Sequence, residues 1–132
     1  MPPDTERGGE DTPSQKLILV VEDDDAHGQM LLLVIEQETP YRGLLVSHGI
    51  QALEILPQVK PDLVLLDYQL PHLNGLEVCA RIRALPEFET TPIVLVTGSV
   101  YKLEFQIAGL PLLAKPYEVD SLLEILHHHL DR

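Results

Sequence analysis

Apolar residues fall in five short unbroken runs: Leu17-Ile18-Leu19-Val20-Val21, Leu44-Leu45-Val46, Leu63-Val64-Leu65-Leu66, Ile93-Val94-Leu95-Val96 and Leu112-Leu113-Ala114. Runs this short, without polar alternation, read as strands covered on both faces, as in a parallel sheet. Between them the spacing becomes helical. The acidic run Glu22 to Asp25 opens a first helix, where Asp24 or Asp25 caps free amides and negative charge suits the helix dipole. Met30 to Ile35 is apolar throughout, more than one core-facing stripe requires. Burial by flanking elements is the expected use of that surplus, and a homodimer face is the alternative. A second helix crosses Gln51 to Leu56 and is expected to stop there, because Pro57 has no N–H to donate. Pro71 to Gly75 is a turn in which Asn74 and Gly75 best suit the required backbone angles. It leads into a third helix with Leu76, Cys79, Ile82 and Leu85 facing inward and Arg81 and Arg83 outward. Glu87 to Thr91 reads as a polar loop. A weaker helix, Val100 to Ile107, precedes the last run, and a final one from Glu118 to Leu130 places Val119, Leu122, Leu126 and Leu130 on one stripe.

Strands alternating with helices predict an α/β fold, a three-layer sandwich with a five-stranded parallel sheet and right-handed crossovers. A chain of 132 residues with 45% hydrophobic content suits one domain. Residues 1–15 hold four acids, one arginine, three prolines and two glycines, and read as a disordered acidic tail before a domain at 16–132. No apolar run nears the roughly 20 residues of a membrane helix, and no signal peptide is visible, so a cytoplasmic protein is expected. The single cysteine, Cys79, excludes an internal disulfide and fits a packing role. A net charge of −12 argues against a nucleic-acid footprint.

The polar residues that directly follow the strands carry the chemistry. They are Glu22 and Asp23, Asp67, Thr97 and Lys115, after the first, third, fourth and fifth strands, and a parallel sheet puts them all on one edge. Carboxylates about 5 Å apart repel by roughly 3 kcal/mol per pair at an effective dielectric near 20, so this set calls for a cation beyond Lys115. Hard oxygen ligands in a partly open site suit magnesium, with manganese as a substitute. A metal, a lysine and a hydroxyl around Asp67 are the parts needed to place a phosphoryl group on that carboxylate, with Asp67 as the in-line nucleophile. His127-His128-His129 points in diverging directions on a helix and reads as a solvated end. His27, His48 and His72 are assigned no chemistry, although His72 lies close enough to the crevice mouth to modulate it.

The motifs Val21-Glu22-Asp23, Leu65-Leu66-Asp67-Tyr68-Gln69-Leu70-Pro71, Asn74-Gly75-Leu76-Glu77-Val78, Val96-Thr97-Gly98 and Lys115-Pro116 resemble the receiver domains of two-component response regulators, the CheY-like family. The resemblance implies a flavodoxin-like (βα)5 fold of strand order 2-1-3-4-5, with phosphate passed to Asp67 from a histidine kinase or histidine phosphotransfer protein. It implies magnesium held directly by Asp23, Asp67 and the backbone carbonyl of Gln69, with Glu22 acting through water, and a cis bond before Pro116. Gln69 and Ser99, two residues beyond Asp67 and Thr97, are the positions expected to gate hydrolysis of the phosphate. Leu112 departs from the family, which often has an aromatic switch residue three positions before the lysine. Gly109-Leu110-Pro111 replaces the usual acidic turn, and the fourth helix is expected to be short.

Three functions compete on these residues. A phosphoryl-accepting switch, which is not a classical enzyme, needs Asp67, Asp23, Thr97 and Lys115 all present, as they are. A phosphorylation-independent protein-binding module is the alternative that Leu112 keeps open. A hydrolase of the haloacid dehalogenase type wants a second aspartate where Gln69 stands. The expected protein is a stand-alone receiver working through an unknown protein target, with neither nucleic acid nor membrane as a direct partner.

Overall fold

The computed structural model describes residues 15–98 and 103–131. Its elements are β1 (Leu17–Val21), α1 (Asp25–Glu38), β2 (Arg42–Val46), α2 (Gly49–Val59), β3 (Leu63–Asp67), α3 (Gly75–Arg83), a 3-10 turn (Pro86–Phe88), β4 (Ile93–Thr97), α4 (Leu103–Ala108), β5 (Leu112–Ala114) and α5 (Val119–Leu130). The strands form one parallel sheet in the order β2-β1-β3-β4-β5. This is the flavodoxin-like topology that the receiver-domain resemblance implies.

Side chains alternate across each strand, so one strand feeds two cores. Leu19 and Val21 turn toward Ala52 and Leu56 of α2, Val78, Cys79 and Ile82 of α3, and Phe105 of α4. Ile18 and Val20 turn to the other face, against Leu31 and Ile35 of α1 and Leu122, Leu126 and Leu130 of α5. Strands covered twice must be apolar throughout, which is why the runs of β1, β3 and β4 lack polar alternation, while the edge strands β2 and β5 are only partly buried.

Local chemistry moves several expected boundaries. Pro57 lies inside α2 and does not end it. A proline here forfeits only one helical hydrogen bond near the end of the helix, and the chain runs on to a left-handed C-cap at Lys60 (φ 47°), whose N–H bonds the Leu56 carbonyl. That helix also starts early, because the His48 side chain accepts the Gln51 N–H at 3.2 Å and caps it. In the turn after β3, the left-handed residue is His72 (φ 69°) and not Asn74 or Gly75. Asn74 is instead the cap of α3, with Asn74 and Glu77 closing a reciprocal capping box at 2.9 Å each way.

The stripe on α3 ends at Ile82, since Leu85 lies past the helix and is exposed. The supposed polar loop contains Phe88, which is buried while Arg83 donates to its carbonyl at 2.8 Å. Val119 sits in the first turn of α5 and faces solvent, so the buried stripe begins at Leu122. On α1, Leu31 and Ile35 are buried, but Met30 and Leu33 are 40% and 52% exposed, so flanking elements do not cover the whole apolar run. The start expected for the fourth helix, at Val100, lies outside the described residues, as does the tail to residue 14. Among the described residues, no helix is long and apolar enough to cross a membrane.

Candidate phosphoryl-acceptor site

Register builds the site. Val21 pairs with Leu66, Asp67 with Val96, and Thr97 with Ala114, so the residues at and just beyond these strand ends emerge side by side. The backbone is pinned there: the Glu22 N–H bonds the Val46 carbonyl at 3.0 Å, Tyr68 bonds Val96 at 2.9 Å, and Lys115 bonds Thr97 at 2.8 Å. Glu22, Asp23 and Asp67 each present a carboxylate oxygen, all within 4.8 Å of one another. Glu22, Asp67 and Thr97 are buried, while Asp23 is exposed at the mouth. Lys115 Nζ donates to Asp67 Oδ1 at 3.0 Å. The peptide bond from Lys115 to Pro116 is cis.

Burial pushes the Glu22 carboxyl above its ordinary range, and the charge of Asp67 adds to that, while the Asp24 N–H and the His27 ring pull the other way. Burial and the same two carboxylates push the Tyr117 hydroxyl up to about 12. An all-oxygen set with a single lysine fits a hard divalent cation of the magnesium kind and gives no nitrogen or thiolate preference.

Sequence reasoning missed three positions. His27, left without a role above, reaches Glu22 Oε1 with Nδ1 at 2.5 Å and the Tyr117 hydroxyl with Nε2 at 2.6 Å. The signal is faint, because Glu22 lies before the helix and Tyr117 comes from the far end of the chain, so no helical spacing links them. Gly75 is the third. A Cβ there would lie 2.8 Å from the Asp67 carbonyl oxygen, 2.8 Å from Tyr68 Cα and 2.7 Å from a Leu95 methyl. The start of α3 therefore presses on the backbone that carries Asp67. The Gly75 N–H also bonds the Tyr68 carbonyl at 2.8 Å.

Gln69 is exposed two residues past β3, and Ser99 lies outside the described residues. Leu112 is half-buried and packs on the α2, α3 and α4 side of the sheet. Tyr68 meets Phe105 of α4 edge to face, ring centres 4.8 Å apart, tying the residue after Asp67 to that helix. His127, on α5, is half-buried and pairs with Asp131 at 2.9 Å.

The family model for the response regulator receiver domain matches residues 18–127. The transcriptional regulatory protein BaeR of Escherichia coli is 39% identical over 108 residues, covering 82% of this chain and 42% of that protein. The chain thus spans less than half the length of that relative. Sporulation initiation phosphotransferase F of Bacillus subtilis is 28% identical over 120 residues, covering 89% of this chain and 94% of that one. Among solved structures, a CheY-like receiver domain from Methylobacillus flagellatus is 30% identical with a TM-score of 0.77, covering 87% of this chain and 98% of that chain. The receiver domain of the sensor histidine kinase PA1611 of Pseudomonas aeruginosa is 28% identical with a TM-score of 0.81, covering 90% and 100%, and has a magnesium ion coordinated in its active-site cleft. With the acidic crevice at the strand ends and a family match over nearly the whole described fold, the chain belongs to the response regulator receiver domains, the phosphoryl-accepting modules of two-component systems.

Proposed function

We propose that Asp67 accepts a phosphoryl group from a phosphohistidine of a histidine kinase or histidine phosphotransfer protein, and that the phosphorylated domain signals to a protein partner. The observation that carries this reading is the contact of Lys115 with Asp67 inside a cluster of three carboxylates. In the transfer, an Asp67 oxygen forms a bond to phosphorus as the P–N bond of phosphohistidine breaks, and the electron pair stays on the imidazole nitrogen. Lys115 brings positive charge to the incoming phosphoryl oxygens, and the Thr97 hydroxyl donates a hydrogen bond to them. Asp23, Asp67 and the Gln69 carbonyl would hold magnesium, or manganese in its place, with Glu22 acting through water. When bound, the metal neutralises charge on the phosphoryl oxygens.

Gln69 and Ser99 set the lifetime of the product by controlling water in line with phosphorus. Leu112 lacks the ring of a switch aromatic, so the signal leaves through the segment after Thr97 or through α1. The domain's direct partners are proteins and not nucleic acid, in keeping with the charge of −12.

The test is incubation with acetyl phosphate and magnesium followed by intact-mass spectrometry. A single phosphate increment that Asp67→Asn removes is expected, and an increment indifferent to that substitution would reject Asp67 as acceptor. Exchanging Gln69 for Leu and Ser99 for Ala is expected to change the rate at which the increment disappears.

A further inference from the structure

The His27 ring stands between two parts of the molecule that the phosphoryl chemistry uses separately. On one side it meets Glu22 Oε1 at 2.5 Å, and on the other the Tyr117 hydroxyl at 2.6 Å. The second Glu22 oxygen is also held, accepting the Asp24 N–H at 3.1 Å. An ionised carboxylate only accepts, so Nδ1 must donate to it. In the neutral ring Nε2 then accepts, and the Tyr117 O–H must donate. The result is a directed chain, Tyr117 to His27 to Glu22, running from the β5–α5 loop through α1 into the acidic cluster. Tyr117 is two residues past Lys115, so this loop is fastened to the site twice, once by Lys115 on Asp67 and once by Tyr117 through His27. His27, Met30, Lys115, Pro116 and Tyr117 also wall a cavity of about 440 Å³ beside the site.

Resting on the magnesium reading of the cluster, we propose that His27 is a positioning residue. It fixes the Glu22 carboxylate for the cation, and through Tyr117 it couples cation occupancy to the cavity wall formed by the β5–α5 loop and α1. This gives the crevice a mechanical outlet on the α1 side of the sheet, opposite the face against which Leu112 packs. Partners that orient a ligand are commonly worth 10- to 100-fold in metal affinity, which sets the expected scale.

Magnesium affinity is read by isothermal titration calorimetry, and the cavity wall by the methyl resonance of Met30, one of two methionines in the chain. In the wild type, magnesium is expected to shift that resonance, and a Met30 signal indifferent to bound magnesium overturns the coupling. His27→Leu is expected to weaken magnesium binding about tenfold or more and to abolish the shift. His27→Asn retains an amide donor for Glu22 but is too short to reach Tyr117. It should return affinity to within about threefold of wild type, under 1 kcal/mol, without restoring the shift. Tyr117→Phe should leave affinity within the same threefold and shrink the shift. Wild-type affinity in His27→Leu overturns the positioning role, and a full Met30 shift in Tyr117→Phe overturns the coupling. Should His27→Leu fail to fold, the Asn and Phe variants decide both points: an Asn variant with tenfold weaker binding overturns the donor argument. A wild type that binds no magnesium, or binds it as well as Asp23→Asn does, rejects the site reading itself and this inference with it.

Discussion

The two edges of the sheet handle their charges in opposite ways. Where the strands begin, Asp62 accepts the N–H of Leu17 at 2.8 Å, Lys16 donates to the Leu130 carbonyl, and the Tyr41 hydroxyl donates to Asp131, which also faces His127 at 2.9 Å. Where the strands end, three carboxylate oxygens lie within 4.8 Å of one another and Lys115 answers only one of those groups. Acidity follows the difference. The Tyr41 hydrogen bond and the neighbouring His127 hold Asp131 below the ordinary carboxylate range, whereas burial and Asp67 lift Glu22 above it. Complementary partners at the first edge lower the energy of the fold. Like charges at the second raise it, and that repulsion is what a bound cation would relieve.

The largest expected effect of this asymmetry is on ligand binding. Asp23→Asn should weaken magnesium at least about tenfold while making the metal-free protein more stable by about 1 kcal/mol, because an exposed charge is removed from a repelling set. Urea unfolding with a chelator, and again with magnesium at about 100 times its dissociation constant, measures both. The wild type should gain about 2.7 kcal/mol from the metal and the variant much less at the same concentration. A variant less stable than wild type without metal would break the comparison.

At the opposite edge the sign reverses. Asp62→Ala strands the N–H of a buried residue and should cost about 1–3 kcal/mol, with phosphate uptake unchanged. Tyr41→Phe removes a hydroxyl whose partner Asp131 can turn to water. It should cost about 1 kcal/mol by the same unfolding measurement, again without touching phosphate uptake.

The smallest effect is in pH. A raised folded pKa means that the native state holds the Glu22 proton more tightly than the unfolded chain does. Its share of stability is therefore full below the unfolded value of about 4.3 and is lost as pH rises through the folded value. The metal-free stability gain of Glu22→Gln should accordingly be greatest near neutrality and fade on acidification toward about pH 4. Asp131 runs the other way. Its contribution is present above the ordinary Asp value and lost as pH falls through the lower folded one. A Glu22→Gln gain that grows on acidification would reject the assigned direction.

The fold was legible because the three inner strands are buried on both faces and so announce themselves as unbroken apolar runs, and because residues at strand ends share an edge once the sheet is parallel. That logic places Glu22, Asp23, Asp67, Thr97 and Lys115 together without any knowledge of distances. It fails where a residue's role depends on a partner far away in the chain. His27 has no spacing relation to Tyr117, and nothing beside Phe88 indicates that a polar stretch will close over its ring. Pro57 misled for a different reason. The rule about its missing N–H is sound, but Leu56 is fully buried beside it, and one lost bond in a last turn does not outweigh that packing.

Gly75 offers no side chain to any reaction, yet its bare backbone is what allows α3 to sit against the carbonyl of Asp67. In a saturation scan scored by signalling, this position should therefore tolerate replacement as poorly as the acceptor itself, and for a different reason. Loss at Asp67 deletes a reagent and leaves the protein abundant, whereas loss at Gly75 distorts its mounting and lowers yield as well. Scored for abundance alongside signalling, the two residues separate, and the glycine marks where the scaffold ends and the chemistry begins.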